Sequence, residues 1–181
     1  MEEEIYSPKE DSFFLTSVLE REIPKLLNSG KDNLKVLEIG SGSGIQLQTL
    51  FRLGVKKENI FALDINKNSV ELCKKLGFNC IQSNLFSKIK KQNRYDLILF
   101  NPPYLPKDKL DKKKDTTGGK KGNETINKFL IQAPNFLTKK GKILLLTSSF
   151  TPIIDFKGYK KKILEEKPLF FEKLYVWELT Y

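Results

Sequence analysis

Residues 95–106 read YDLILFNPPYLP. Leu97 to Phe100 form an uninterrupted apolar run with the length of a buried strand, and it runs straight into Asn101, two prolines and a tyrosine. Proline has no N–H to give to a sheet ladder and biases the preceding residue away from helix, so the strand must stop here. The flanking sequence alternates in the same manner. LKVLEIG (34–40) reads as a buried strand, and IQLQTLFRLG after it carries apolar residues at helical spacing up to Gly54. NIFALD (59–64) and FNCIQ (78–82) are further strands, with the helical NKNSVELCKKLG between them. NETINKFLIQAPNFL makes another helix and GKILLLTSS (141–149) a fifth strand. Such alternation predicts an α/β fold, a parallel doubly wound sheet covered by helices on both faces. Near the end, KKKILEEK and EKLYVWELTY flank Pro168, and strand formers in the second favour an antiparallel hairpin over a helix. The 181 residues suit one domain, 1–181.

Composition removes whole classes of chemistry. The chain has no histidine, which excludes His-dependent triads and the usual general base near neutrality. Its two cysteines, Cys73 and Cys80, fit no metal-ligand spacing and read as small buried fillers in a reducing compartment; no metal site is expected. The acidic start MEEEIY lacks the basic and apolar regions of a signal peptide, and the aliphatic runs are too short to span a bilayer. A cytoplasmic protein is expected, with no membrane partner and with a nuclear pool compatible with the same features. A net charge of +10 invites nucleic acid. Yet only three of the 32 basic residues are arginine, the residue best suited to bidentate phosphate and guanine contacts, so solubility accounts for the lysines at least as well. The polar segment PKDKLDKKKDTTGGKKG reads as a loop after the tetrad, placed where it could cover a substrate.

LEIGSGSG places a glycine-rich turn between a strand and a helix, where backbone N–H groups approach an adenosine-containing ligand. Asp64 ends the second strand about 20 residues on, where a carboxylate accepts from ribose hydroxyls. A dinucleotide fingerprint needs a small residue where Ile45 stands, and Glu38 is misplaced beside a pyrophosphate. Glu38, Gly40, Gly42 and Asp64 instead suit a ligand with a cationic end and no phosphate, such as S-adenosylmethionine. The plainer reading is that both carboxylates only cap neighbouring helices.

The tetrad then acquires a purpose. Ligands of a doubly wound sheet bind outside the carboxyl ends of its strands, so residues 101–104 would meet the methyl donor. Prolines stiffen the turn, letting the Asn101 side-chain oxygen and the Pro102 carbonyl converge on one planar NH2 group while Tyr104 lies against its face. An amide or nucleobase nitrogen needs alignment and charge stabilisation more than a strong base, since it becomes acidic only as it gains the methyl.

With GSGSG, Asp64 and NPPY together, the chain resembles class I S-adenosylmethionine-dependent methyltransferases that act on planar amino or amide nitrogens. YSPKEDSFFL, FNPPYLP, GGKKGNETINKFL and FEKLYVWEL in that order resemble, over nearly the whole chain, the small eukaryotic and archaeal HemK-like methyltransferase of the class-1 translation termination factor. The resemblance implies a seven-stranded sheet with a reversed last strand. It also implies methylation of the glutamine amide in the termination factor's Gly-Gly-Gln loop, the factor being presented with its GTPase partner. A small zinc-binding activator subunit would cover the edge formed by strand three, around Phe78 to Ile81. Asn101, Pro102 and Tyr104 would position substrate; Glu38, Gly40, Gly42, Asp64 and Asn101 would face the donor, with Asp11 and Ser12 over its methionine end. Locally, SPKEDS reads as a helix start, with Ser7 as cap, Pro8 in first position and Glu10 completing a capping box. Asn84 stands where the family normally has an acidic residue facing the adenine amine, and its side-chain oxygen can still accept that bond. The alternative activity is methylation of an exocyclic amine on an extruded RNA or DNA base, which offers the same two hydrogens; the chain shows no extra domain to read nucleic acid. A third reading, a donor-binding scaffold without turnover, leaves the tetrad unexplained.

Overall fold

The structure, a computed structural model, describes residues 4–30, 33–103, 123–156 and 158–181. Tyr104 and the lysine-rich segment 107–121 therefore lie outside the described residues. Seven strands form one sheet: β1 (Val36–Ile39), β2 (Ile60–Asp64), β3 (Asn79–Gln82), β4 (Tyr95–Phe100), β5 (Leu137–Ser148), β6 (Lys160–Pro168) and β7 (Lys173–Thr180). They lie in the order β3-β2-β1-β4-β5-β7-β6. The first five are parallel, and β7 runs antiparallel between β5 and β6. The reversed strand and the C-terminal hairpin are thus both present.

Helices α1 (Glu10–Asn28), α2 (Ile45–Arg52) and α3 (Lys67–Lys75) pack on one face, where Leu15, Leu47, Leu50 and Val70 meet Val36, Ala62, Leu99 and Leu144. Helix α4 (Glu124–Gln132) covers the other face, where Phe129 meets Leu37, Ile98 and Leu145, and Phe86 stacks on Phe136 with centroids 4.5 Å apart. Successive β1 residues point to opposite faces and all four are buried, as a central parallel strand requires. Glu38 is the exception in kind: a carboxylate in the middle of the sheet, opposite Ala62 and Leu99.

Four expectations need correction. Helix α1 begins at Glu10 with Lys9 as N-cap and no side-chain cap bond, so Ser7 and Glu10 form no capping box. The bond that does form across the helix start is between the neighbouring residues Tyr6 and Asp11. The helix of 123–137 breaks at Ala133 into a 3-10 turn, because Pro134 lacks the N–H that the α ladder needs. Strand β5 begins at Leu137 rather than Gly141, through a bulge that shifts its register against β4. Gly141 sits in that bulge, where a Cβ would lie 2.9 Å from the Tyr95 carbonyl oxygen. Finally, β3 is an edge strand, but Phe78 before it is buried in the chain's own core and only Ile81 is half exposed.

Candidate active site

The carboxyl ends of β1, β2 and β4 gather the polar residues that the core rejects. Behind β1, Gly40 donates its N–H to the Leu63 carbonyl at 2.7 Å, tying the glycine turn to the end of β2. Gly42 has a φ of +48°, and a Cβ there would lie 3.9 Å from the Tyr6 side chain and carbonyl. At that distance a Cβ would make only ordinary contact, so it is the positive φ that favours glycine there. Gly44, at φ +77°, is needed for packing: a Cβ would come within 3.2 Å of the Cys73 sulfur and 3.3 Å of Leu76. That is a helix-packing role for which the GSGSG spacing gives no separate signal.

Asp64 ends β2 with its carboxylate inside two turns. Oδ2 accepts from the Gly42 N–H at 2.8 Å and from Ser41 Oγ at 3.5 Å; Oδ1 accepts from the Asn66 N–H at 2.8 Å. Burial raises its pKa, and the backbone donors oppose that shift. Asp64 thus braces neighbouring turns and does not cap a helix, since α2 has no side-chain cap and α3 is capped by Asn66; Oδ1, with one of these three bonds, keeps acceptor capacity. Helix α3 has its own cap, Asn66, whose side chain accepts from Asn68 N–H at 2.8 Å.

Glu38 is different. It is fully buried, and among the described residues its Oε2 has no hydrogen-bond partner. Burial foremost, then the Cys73 sulfur and the Asp64 charge, push its pKa well above the carboxylate range. Cys73 and Cys80 are buried free thiols in contact with Ser41 Oγ, at 3.5 and 3.6 Å. A carboxyl placed in this way is costly unless a cation or hydroxyl donor meets it. Among the described residues, no group of three or more His, Cys, Asp or Glu could hold a metal ion.

Asn101 follows β4, as the apolar run requires. Its Nδ2 donates to Asp11 Oδ2 at 2.8 Å, and among the described residues its buried Oδ1 has no partner. Asp11 is buried on the first turn of α1 and also accepts from Tyr6 Oη at 3.1 Å and Ser12 Oγ at 3.4 Å. Because a carboxylate only accepts, it fixes which end of the Asn101 amide faces it, and the oxygen must point away. Pro102 is buried beside it. Ser12 is buried too, and its carbonyl accepts from Gln46 Nε2 at 2.8 Å, linking α1 to α2. Asn84 is exposed on the turn after β3, one residue past Ser83, whose N–H reaches the Asp64 carbonyl at 2.8 Å. Among the described residues its side chain joins none of the bonds that link the others.

The structure thus brings together Asp11, Ser12, Glu38, Gly40, Gly42, Asp64, Asn101 and Pro102, with Asn84 at the margin. Sequence reasoning missed Tyr6 and Ser41 as members and Asn66 as an anchor. Asn66 Nδ2 donates to the Glu4 carbonyl at 3.0 Å, so residues 4–9 form an extended strap from the end of β2, over Gly42, to Asp11. Burial, reinforced by Asp11, raises the Tyr6 pKa and so favours the protonated hydroxyl that donates to Asp11.

Comparison with known proteins gives the same architecture. Residues 12–166 match the family model described as the methyltransferase small domain. A Methanocaldococcus jannaschii protein, provisionally named a protein N5-glutamine methyltransferase, is 35% identical over 93% of this chain and 82% of its own length. The eRF1 methyltransferase catalytic subunit of Schizosaccharomyces pombe is 26% identical over 77% of this chain and 70% of its own. Among solved structures, the Mtq2–Trm112 complex of E. cuniculi, described as responsible for methylation of the eRF1 translation termination factor, superposes with a TM-score of 0.74. That match has 25% identity and covers 97% of both chains.

Proposed function

The chain belongs to the methyltransferase small domain family, and we propose that it methylates the side-chain amide nitrogen of a glutamine in a class-1 translation termination factor, within the Gly-Gly-Gln loop. The observation that carries this reading is the Asn101 amide, clamped through its nitrogen by Asp11 so that a buried, unpartnered oxygen is presented at the sheet edge.

The methyl donor is S-adenosylmethionine, which when bound supplies an electrophilic methyl group on a cationic sulfur. The residues present fit it. Asp64 Oδ1 has acceptor capacity left for a hydroxyl group, Gly40 and Gly42 supply the positive φ angles of the turn, and the orphaned Glu38 carboxyl suits a hydroxyl or cationic partner. Asp11, Ser12 and Asn84 border the same edge as further donor contacts.

The work of this chain on the substrate is orientation. Asn101 Oδ1 accepts one hydrogen of the glutamine NH2 and the Pro102 carbonyl accepts the other; the face of the amide is the role proposed for Tyr104 from its place in the tetrad. Two acceptors on the nitrogen withdraw it from water and stabilise the positive charge that grows as the N–CH3 bond forms and the S–CH3 bond breaks. The nitrogen then sheds a proton to solvent, so no histidine is needed.

An activator subunit pairs with the chain. We place a small zinc-binding protein on the β3 edge, where Ile81 is half exposed and the strand has no outer neighbour. The termination factor would arrive with its GTPase partner, in the cytoplasm.

Mass spectrometry of the termination factor, and of total RNA and DNA, after incubation with labelled donor and the activator tests the reading. One methyl on the Gly-Gly-Gln glutamine, absent with Asn101→Ala, is expected. Label on a nucleobase would replace this reading with the nucleic-acid one.

A further inference from the structure

The hairpin between β6 and β7 turns on Leu169–Glu172, closed by the Leu169 N–H to Glu172 carbonyl bond of 2.7 Å. At its tip stand Phe170 and Phe171, 94% and 82% exposed, with ring centroids 5.0 Å apart. Turns favour Gly, Asn, Asp, Pro and Ser for conformational reasons, and phenylalanine has none of them. Nor do these rings contribute to the core. Two large aromatic side chains held in water at a turn call for another explanation.

Their location supplies one. Strand β7 runs antiparallel to β5, so its first residues lie beside the carboxyl end of β5, with Leu174 opposite Ser148. That is the edge on which Asn101 follows β4. The join is built: Ser149 N–H donates to the Lys173 carbonyl at 2.7 Å, Lys173 N–H returns to Ser149 Oγ at 3.0 Å, and Ser148 Oγ donates to the Glu172 carboxylate. Phe150, 51% exposed, hangs from the same hub through its N–H to Ser148 Oγ at 3.1 Å. Ile153 follows, 90% exposed, its carbonyl held by Asn123 at 2.6 Å just before α4. The Glu172 charge is also felt by Tyr6, the residue bonded to Asp11. The apolar tip therefore adjoins the candidate active site. The β3 edge lies at the opposite end of the sheet, five strand spacings from β7 and six from β6, roughly 24 to 29 Å at about 4.8 Å each.

We propose that Phe170 and Phe171, flanked by Phe150 and Ile153, dock an apolar surface of the protein substrate next to the loop that presents its glutamine. The proposal rests on the protein-substrate reading above. A glutamine amide alone gives Asn101 and Pro102 two hydrogen bonds, which cannot distinguish one protein glutamine from another; aromatic anchors buried on docking supply that selection.

The test uses the chain with its activator subunit and compares native protein with Phe170→Ala/Phe171→Ala and, separately, Ile153→Asp. The exposed positions should leave the melting temperature and donor affinity unchanged. The double variant should raise KM for the termination factor at least about tenfold, the scale of two lost aromatic anchors, with kcat nearly intact. A short Gly-Gly-Gln peptide, which lacks the apolar surface, should be methylated equally by native and variant proteins. An unchanged KM for the whole factor, with native turnover normal, overturns the docking proposal alone. A native dimer dispersed by the substitutions, or activator lost from the complex, also overturns it by assigning the patch to another occupant. No turnover of the factor by native protein overturns both the function reading and this one.

Discussion

Replacing Asp11 by asparagine isolates the orientation of Asn101 from its chemistry. The bond removed is a charge-assisted one of 2.8 Å between the Asn101 nitrogen and the Asp11 carboxylate. Such bonds contribute about 1.5–3 kcal/mol. In the native chain, flipping the Asn101 amide sets its oxygen against a carboxylate oxygen, so the acceptor is held outward; an asparagine at position 11 donates or accepts and permits both orientations. If the whole contribution is lost from the transition state, kcat falls by roughly 10- to 100-fold. The assay is initial rates at saturating donor and termination factor, with donor Kd measured by calorimetry on the same protein. Tyr6→Phe, which removes only the outer bond to Asp11, should lose less. An Asp11→Asn protein within about twofold of native kcat, while Asn101→Ala is crippled, would refute the orientation argument. A raised donor Kd with kcat preserved would instead place Asp11 wholly on the donor.

Asn101→Ala should lower the rate by about 10² to 10³, the scale for one preorganised polar contact, with donor binding largely retained by equilibrium titration. Glu38 has a folded pKa raised well above its unfolded value, so its contribution to stability is greatest below the unfolded carboxylate pKa and is lost as pH rises through the folded pKa. Thermal melts followed upward from the ordinary carboxylate range, about pH 4, should thus show ligand-free native protein losing stability toward higher pH. Glu38→Gln should flatten that slope and weaken donor binding. Ile81→Asp on the β3 edge should reduce co-purification of the activator at least about tenfold without changing the monomer's melting temperature.

The strand-helix alternation made most of the fold legible, because parallel strands buried on both faces leave long apolar runs and helices leave a different period. What escaped were features set by contacts distant in the chain. The break before Pro134 follows from a missing N–H, but the early start of β5 depends on a bulge against Tyr95 that no local pattern announces. SPKEDS has the local signature of a capping box on Ser7 and Glu10, yet the helix starts without one, and the carboxylate beside it, Asp11, is met 90 residues away by Asn101. The local pattern pointed to Glu10, while the residue with a long-range partner is its neighbour Asp11. Tyr6 and Ser41 were invisible for the same reason: each earns its place only when the strap and the glycine turn meet.

Glu38 and Asp64 show how two carboxylates at one sheet edge come to differ. Sequence reasoning set helix capping against ligand binding as rivals, but Asp64 caps neither helix: it braces the two turns that follow β1 and β2. Backbone N–H groups of Gly42 and Asn66 hold its carboxylate at 2.8 Å and oppose the effect of burial, leaving a fixed acceptor for hydroxyl hydrogens. Glu38 has no such donors on Oε2 and lies deeper in the sheet, so burial favours its neutral form until a partner arrives. A hydroxyl can bond to either; a cation is stabilised by Glu38 only if the carboxyl ionises. Binding of a cationic donor should therefore release a proton from Glu38, seen as a dependence of the calorimetric heat on the buffer's ionisation enthalpy. Glu38→Gln should abolish that dependence while Asp64→Asn leaves it. Equal buffer dependence in all three proteins would mean that the carboxyl is already ionised and that its missing partner has another cause.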